Sequence, residues 1–133
     1  TETLSKAWSL FDAGNYTDAE TIYKECYAKI LPPTMTIIFP DDALARSANL
    51  YEQGYVSMKL HDLPLAEKNM LSALDFAEKS NDLISMAVRG LGEILKSSDK
   101  AEDAAVYFEK AIIAFQKAGD TYGVEEVKEL MSK

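Results

Sequence analysis

Apolar residues recur along this chain at steps of three and four. Val88, Leu91, Gly92 and Leu95 make one such stripe, and Ala104, Phe108 and Ala111 make the next. That spacing predicts amphipathic α-helices, each turning its stripe toward a neighbour. No stretch alternates apolar and polar residues as a strand does. Turn signals separate the stripes: Gly14-Asn15, His61-Asp62 before Pro64, Ser80-Asn81-Asp82, Ser98-Asp99 and Gly119-Asp120. Asp and Asn cap a following helix, Gly tolerates the left-handed residue that ends one, and Pro suits a first turn. The resulting helices cover 3–13, 16–31, 42–60, 63–80, 83–98, 101–118 and 121–132.

The stripes repeat. A shift of 38 residues lays Ser47 on Ser85, Gly54 on Gly92, Ala66 on Ala104, Ala73 on Ala111, Lys79 on Lys117 and Asp82 on Asp120. A shift of 47 lays an earlier copy on the same frame, with Ala7 under Gly54, Ala19 under Ala66 and Cys26 under Ala73. In each copy small residues stand where two helices would cross closely, so the unit is a helical hairpin and the fold an array of them.

The spacing Val88-x2-Leu91-Gly92-x2-Leu95 followed by Ala104-x3-Phe108-x2-Ala111 resembles the tetratricopeptide repeat, and Gly14-x-Tyr16-x2-Ala19-x3-Tyr23 matches its middle portion. The resemblance covers nearly the whole chain. The period is longer than the usual repeat while the distance from Gly92 to Ala104 is the usual one, so about one helical turn is added between hairpins. Such long repeats, joined by Lys79–Asp82 and Lys117–Asp120, are similar to those of Rap-type bacterial peptide receptors, MalT-like regulators and kinesin light chains. The resemblance implies an all-α fold, a right-handed solenoid of stacked antiparallel hairpins. One domain would hold repeat 1 at about 1–31, an insertion at 32–40, repeat 2 at about 41–80, repeat 3 at about 81–118 and a last helix at about 120–132. In that helix Val124, Val127, Leu130 and Met131 make one stripe beside Glu125, Glu126, Lys128 and Glu129, which reads as a cap for the terminal repeat; a piece of a longer array is the alternative.

The length of 133 residues suits a single domain, and 47% hydrophobic with 27% charged residues gives apolar surface enough to fold. Lys and Arg number 14 against 22 Asp and Glu, a net charge of −8 that repels phosphate backbones and anionic lipid. Nucleic acid and membrane surfaces are therefore poor partners. The longest uncharged apolar segment, Ile30 to Pro40, carries three prolines and is too short to span a bilayer. With one cysteine and no apolar leader, a cytoplasmic setting is expected.

Candidate chemistry is sparse. His61, the only histidine, falls at an interhelical turn, and Cys26 occupies a small-residue slot, so a buried structural thiol is expected. No His and Cys are spaced for zinc, and Gly90-Leu91-Gly92 lies within a helix and follows no strand, so it is no phosphate loop. No cofactor, metal or catalytic residue is predicted, and an enzyme is not expected.

What the resemblance implies instead is a concave face built from the first helix of each hairpin. Its positions would be Leu4, Trp8 and Phe11, then Tyr51, Glu52, Tyr55, Met58 and Lys59, then Arg89, Glu93 and Lys96. Tyr, Trp, Met and Arg supply much of the binding energy of interfaces, so a peptide or helix of a partner protein could lie there. The same aromatic residues could equally complete packing between hairpins, and Glu52 or Glu93 could hold Arg89 structurally. A carboxylate clamp of the chaperone-tail type is not expected, because the corresponding positions carry Leu4, Trp8, Glu52, Met86 and Gly90. Two rival functions stand beside the adaptor. One is a self-associating scaffold, a homodimer made through Ile37, Ile38 and Phe39 of the insertion with Val127 and Met131 of the last helix; the other is a receptor for a small signalling peptide.

Overall fold

A computed structural model describes residues 2–30, 40–80 and 83–133, with side chains for 5–30, 42–79 and 83–133. Among these residues seven α-helices follow one another and no strand occurs: α1 (Glu2–Asp12), α2 (Tyr16–Lys29), α3 (Pro40–Lys59), α4 (Leu63–Ser80), α5 (Ile84–Ser97), α6 (Ala101–Lys117) and α7 (Thr121–Ser132). The predicted bounds agree to within two residues. α3 begins at Pro40 instead of position 42, as the fixed φ of proline allows in a first turn.

Four of the turns are one device used repeatedly. After α1, α3, α5 and α6 the residue in the left-handed region is Gly14, His61, Asp99 or Gly119, with φ of +88°, +63°, +60° and +73°. Its amide donates to a carbonyl three residues back, and the next amide donates five back, as in Asp62 to Ser57 and Asp120 to Phe115, both at 2.9 Å. This double bond satisfies carbonyls that a helix end leaves free. The residue that closes it, Asn15, Asp62, Lys100 or Asp120, immediately opens the next helix. Two of them also cap through the side chain: Asp120 accepts from the Gly123 amide at 2.8 Å and Asp62 from the Leu65 amide at 3.2 Å. Identical turns hold the helices at these four junctions in one register.

Each helix packs on the next, while α1 also touches α3 and α3 touches α5, an arrangement consistent with a helical repeat. The core falls into three adjoining clusters. Ala7, Ala19, Tyr23 and Val56 join α1 to α3; Leu50, Met70, Ala73, Leu91 and Ile94 join α3 to α5; Val88, Leu95, Phe108, Phe115, Val124 and Val127 join α5 to α7. Burial of each large side chain contributes about 1.5–3 kcal/mol.

Glycine allows the closest approaches. A Cβ on Gly54 would stand 2.8 Å from the Met70 methyl, one on Gly90 2.6 Å from the same methyl, and one on Gly92 2.6 Å from the Phe108 ring. The Gly90-Leu91-Gly92 sequence thus serves two crossings, toward α4 and toward α6. The expected crossings at Gly54, Ala66, Gly92 and Ala104 are all buried.

α7 ends the stack with a polar side. Glu125, Lys128, Glu129 and Ser132 of α7 are all exposed. Lys128 and Lys133 pair with Glu125 and Glu129 along that face, at 3.8 and 3.5 Å.

Two substitutions test the turns and the crossings with opposite signs. Gly92→Ala should lower stability by a net of about 1–2 kcal/mol, because forcing a methyl into the immobile Phe108 ring outweighs the gain in helix propensity. His61→Gly should raise it by about 0.5–1 kcal/mol by relieving the left-handed backbone. Urea unfolding of both variants measures the two changes.

Candidate functional site

The first helices of the hairpins line a groove of about 490 Å³. It gathers the predicted Trp8, Tyr51, Tyr55, Met58, Lys59, Arg89, Glu93 and Lys96, together with Phe11. Ser97, Phe108 and Leu130 also border it, and the sequence reading did not include them. Leu130 lies on the apolar stripe of α7 and Phe108 on that of α6, and neither stripe marks its residue as a groove position. Leu4 lies outside the described side chains.

Trp8 is 47% exposed and stacks on Phe11, with ring centroids 5.2 Å apart, while Phe11 meets Tyr16 edge-on at 5.3 Å. Tyr51 and Tyr55, one turn apart on α3, form an edge-to-face pair at 5.0 Å. Both are more than half hidden. Burial, then Tyr51 and Glu93, drives the Tyr55 phenol far upward; burial likewise raises Tyr51, with the Tyr55 hydroxyl opposing. Both therefore remain neutral phenols in the groove floor.

Arg89 is held from two sides. Its Nε is 3.3 Å from Glu93 Oε1 on α5 and its terminal nitrogen 2.8 Å from Glu126 Oε2 on α7. Burial pulls the guanidinium down, but Glu93, Tyr55 and Glu126 outweigh it and hold Arg89 above its ordinary value. Lys96 donates to the Leu130 carbonyl at 2.6 Å, near the C-terminal end of α7, where a cation is favoured. The cations of α5 thus tie α7 down. Lys59 differs: it is exposed at the rim and has no hydrogen-bond or ion-pair partner among the described residues.

Some expected residues lie elsewhere. Glu52 is absent from the groove lining and turns toward α2, where burial raises its carboxyl above the ordinary value. The Tyr23 hydroxyl beside it favours the ionised form, yet neither Tyr23 Oη nor Glu52 Oε2 completes a hydrogen bond of normal geometry. The helical period explains this placement, since one residue after Tyr51 is a rotation of about 100°. Val127, expected at an oligomer contact, is wholly buried within the chain, whereas Met131 is 41% exposed. Ile37, Ile38 and Phe39 lie outside the described residues. Cys26 is half-buried instead of buried, and His61 is exposed.

A polar seam between α2 and α3 escaped the sequence reading altogether. Arg46, Asn49 and Gln53 are buried on one face of α3. Asn49 donates to the Tyr23 carbonyl at 3.0 Å, Gln53 to Asn49, and Arg46 to the Ile30 carbonyl. The Arg46 guanidinium also lies over the Tyr27 ring, 4.6 Å from its centroid. The signal was the i, i+3, i+7 spacing of polar residues along α3.

A wider opening of about 630 Å³ separates the start of α5 from the end of α6, bounded by Leu83, Ile84, Lys110, Ile113 and Lys117. Among the described residues its lining contains no acid and no aromatic ring, so it lacks the convergence of the groove. Among the described residues no group of three or more His, Cys, Asp or Glu is placed to hold a metal ion, and no helix is long and apolar enough to cross a membrane.

The position of Glu52 has a consequence for stability against pH. Its folded pKa lies above its ordinary value of 4.5, so between the two the folded state binds more protons and stability falls as pH rises through that window. Glu52→Gln should remove this fall and raise Tm at pH 7, by about 2–8 °C for each kcal/mol recovered. Thermal melts of both proteins from pH 4 to pH 8 measure it.

No protein-family model and no curated protein matches the chain, and the reading of its function rests on the groove's own geometry.

Proposed function

We propose that this protein is a non-catalytic interaction module, an adaptor that takes a peptide or helix of a partner protein into the groove between α1, α3 and α5. The observation that carries the reading is the exposed aromatic end of that groove: Trp8, stacked on Phe11, shares a lining with Met58 and the Tyr51–Tyr55 pair. An apolar side chain seated there would gain burial against aromatic rings already gathered in one lining. The tetratricopeptide-like assignment, three long repeats in a right-handed array within the cytoplasm, belongs to the same proposal. It is supported by the recurring three-residue turns and by the small residues at each crossing.

The groups that could do chemistry are bound to one another. Arg89, Glu93 and Glu126 form one ion cluster, and His61 sits apart at a turn. Arg89 is consequently a poor choice for a binding variant, because Arg89→Glu would gather three carboxylates and release α7.

Trp8→Ala removes the open aromatic surface at little structural cost. In affinity capture with the intact chain, Trp8→Ala combined with Met58→Ala should lose the partner, whereas Val106→Ser on the exposed face of α6 should retain it. Retention by the groove variant would move the binding site elsewhere.

A further inference from the structure

The groove differs in charge from the rest of the molecule. Lys59, Arg89 and Lys96 against Glu93 and Glu126 leave a local charge of +1 on a protein of net charge −8. These cations are not equally available. Arg89 spends its nitrogens on Glu93 and Glu126, and Lys96 points its ammonium at the Leu130 carbonyl. Among the described residues Lys59 has no charged partner. It stands next to Met58 and one helical turn beyond Tyr55, so the backbone positions of the cation and of the aromatic floor are about 6 Å apart along α3.

We infer, resting on the groove reading above, that the occupant is an acidic, apolar peptide segment whose large apolar side chain packs on Trp8 and Met58 while a nearby carboxylate pairs with Lys59. The separation of about 6 Å matches residues three or four apart on a helix, or two apart in an extended strand. A basic segment would bring its cation against Lys59, and Glu93, the carboxylate among the described residues that line the groove, already binds Arg89. The contact at Lys59 is exposed and therefore modest in strength; it selects the sign of the ligand while the aromatic surface supplies most of the affinity.

The protein carries its own reporter. Trp8 is the only tryptophan, and its 47% exposure in the groove means that an occupant must change its fluorescence. Two arrays of short synthetic peptides free of Trp and Tyr serve as probes. Both place Leu, Phe or Met as the apolar anchor at the spacings above; one pairs it with Asp or Glu, the other with Lys or Arg. The acidic array should shift Trp8 emission to shorter wavelength in a saturable way, and the basic array should not. Lys59→Gln should weaken the acidic peptides about two- to five-fold, and Lys59→Glu should reverse the preference between arrays. Circular dichroism matching the parent confirms that either variant is folded, and Lys59→Gln suffices if Lys59→Glu is not. Equal binding of the two arrays, preference for the basic one, or indifference to Lys59→Gln overturns the assignment of ligand charge while leaving the groove occupied. Absence of any shift with either array overturns the groove reading itself.

Discussion

Helix spacing in this protein is set by glycines facing large side chains. Met70 of α4 is the clearest instance, because its methyl group occupies the space that a Cβ would fill on both Gly54 of α3 and Gly90 of α5. One thioether therefore fixes how closely two non-consecutive helices approach a third. α3 and α5 are the helices that carry Tyr51, Tyr55, Arg89 and Glu93, so the width of the groove floor follows from a contact on its far side. Interiors close-packed in this way transmit a misfit of even one methyl group. The Phe108 ring against Gly92 repeats the arrangement between α5 and α6, and the Phe115 ring against Gly123 repeats it between α6 and α7.

The junction of α2 with α3 obeys a different rule. There Asn49, Gln53 and Arg46 bind backbone carbonyls and one another, with Ala19, Tyr23 and Val56 supplying the apolar part. Hydrogen bonds of this kind add only about 0.5–1.5 kcal/mol each, but a buried polar group without its partner costs about 1–3 kcal/mol. Such a seam stabilises less than an apolar one and discriminates more sharply against a shifted register. It also leaves polar atoms unsatisfied: Arg46 Nε, Tyr23 Oη and Glu52 Oε2 are buried without hydrogen-bond partners among the described residues. The first hairpin is thus joined to the array by specificity more than by burial.

The hairpins, their order and the small-residue crossings were legible in the sequence, because each depends on local spacing: Gly54 and Gly92 align under one shift, and so do Ala66 and Ala104. Most of the groove lining followed from the same arithmetic. Glu52 did not, since the face of a helix changes within one residue and the repeat frame alone does not say where the groove stops. Val127 belongs to the stripe expected of a cap and was also expected at an oligomer contact; packing within the chain buries it. The pairing of Arg89 with Glu126 joins residues 37 apart through a helix with no partner of its own, and no periodicity announces it. What periodicity conveys is which side chains share a face; which of them satisfy one another depends on distances that only the packed helices define.

The two ends of the groove are consequently held by unlike forces. At the α5 end Arg89 bridges Glu93 and Glu126 while Lys96 grips the end of α7, and each of these groups has lost its freedom to another part of the protein. At the α1 end Trp8 rests on Phe11 by stacking alone, nearly half exposed, on a hairpin fastened through the polar seam. A ligand entering the groove meets fixed, satisfied charge on one side and adjustable apolar surface on the other. Rotating a stacked ring costs little compared with breaking a partly buried ion pair, so adaptation to the ligand's shape belongs to the α1 end. The α5 end instead holds the floor against which that adaptation occurs.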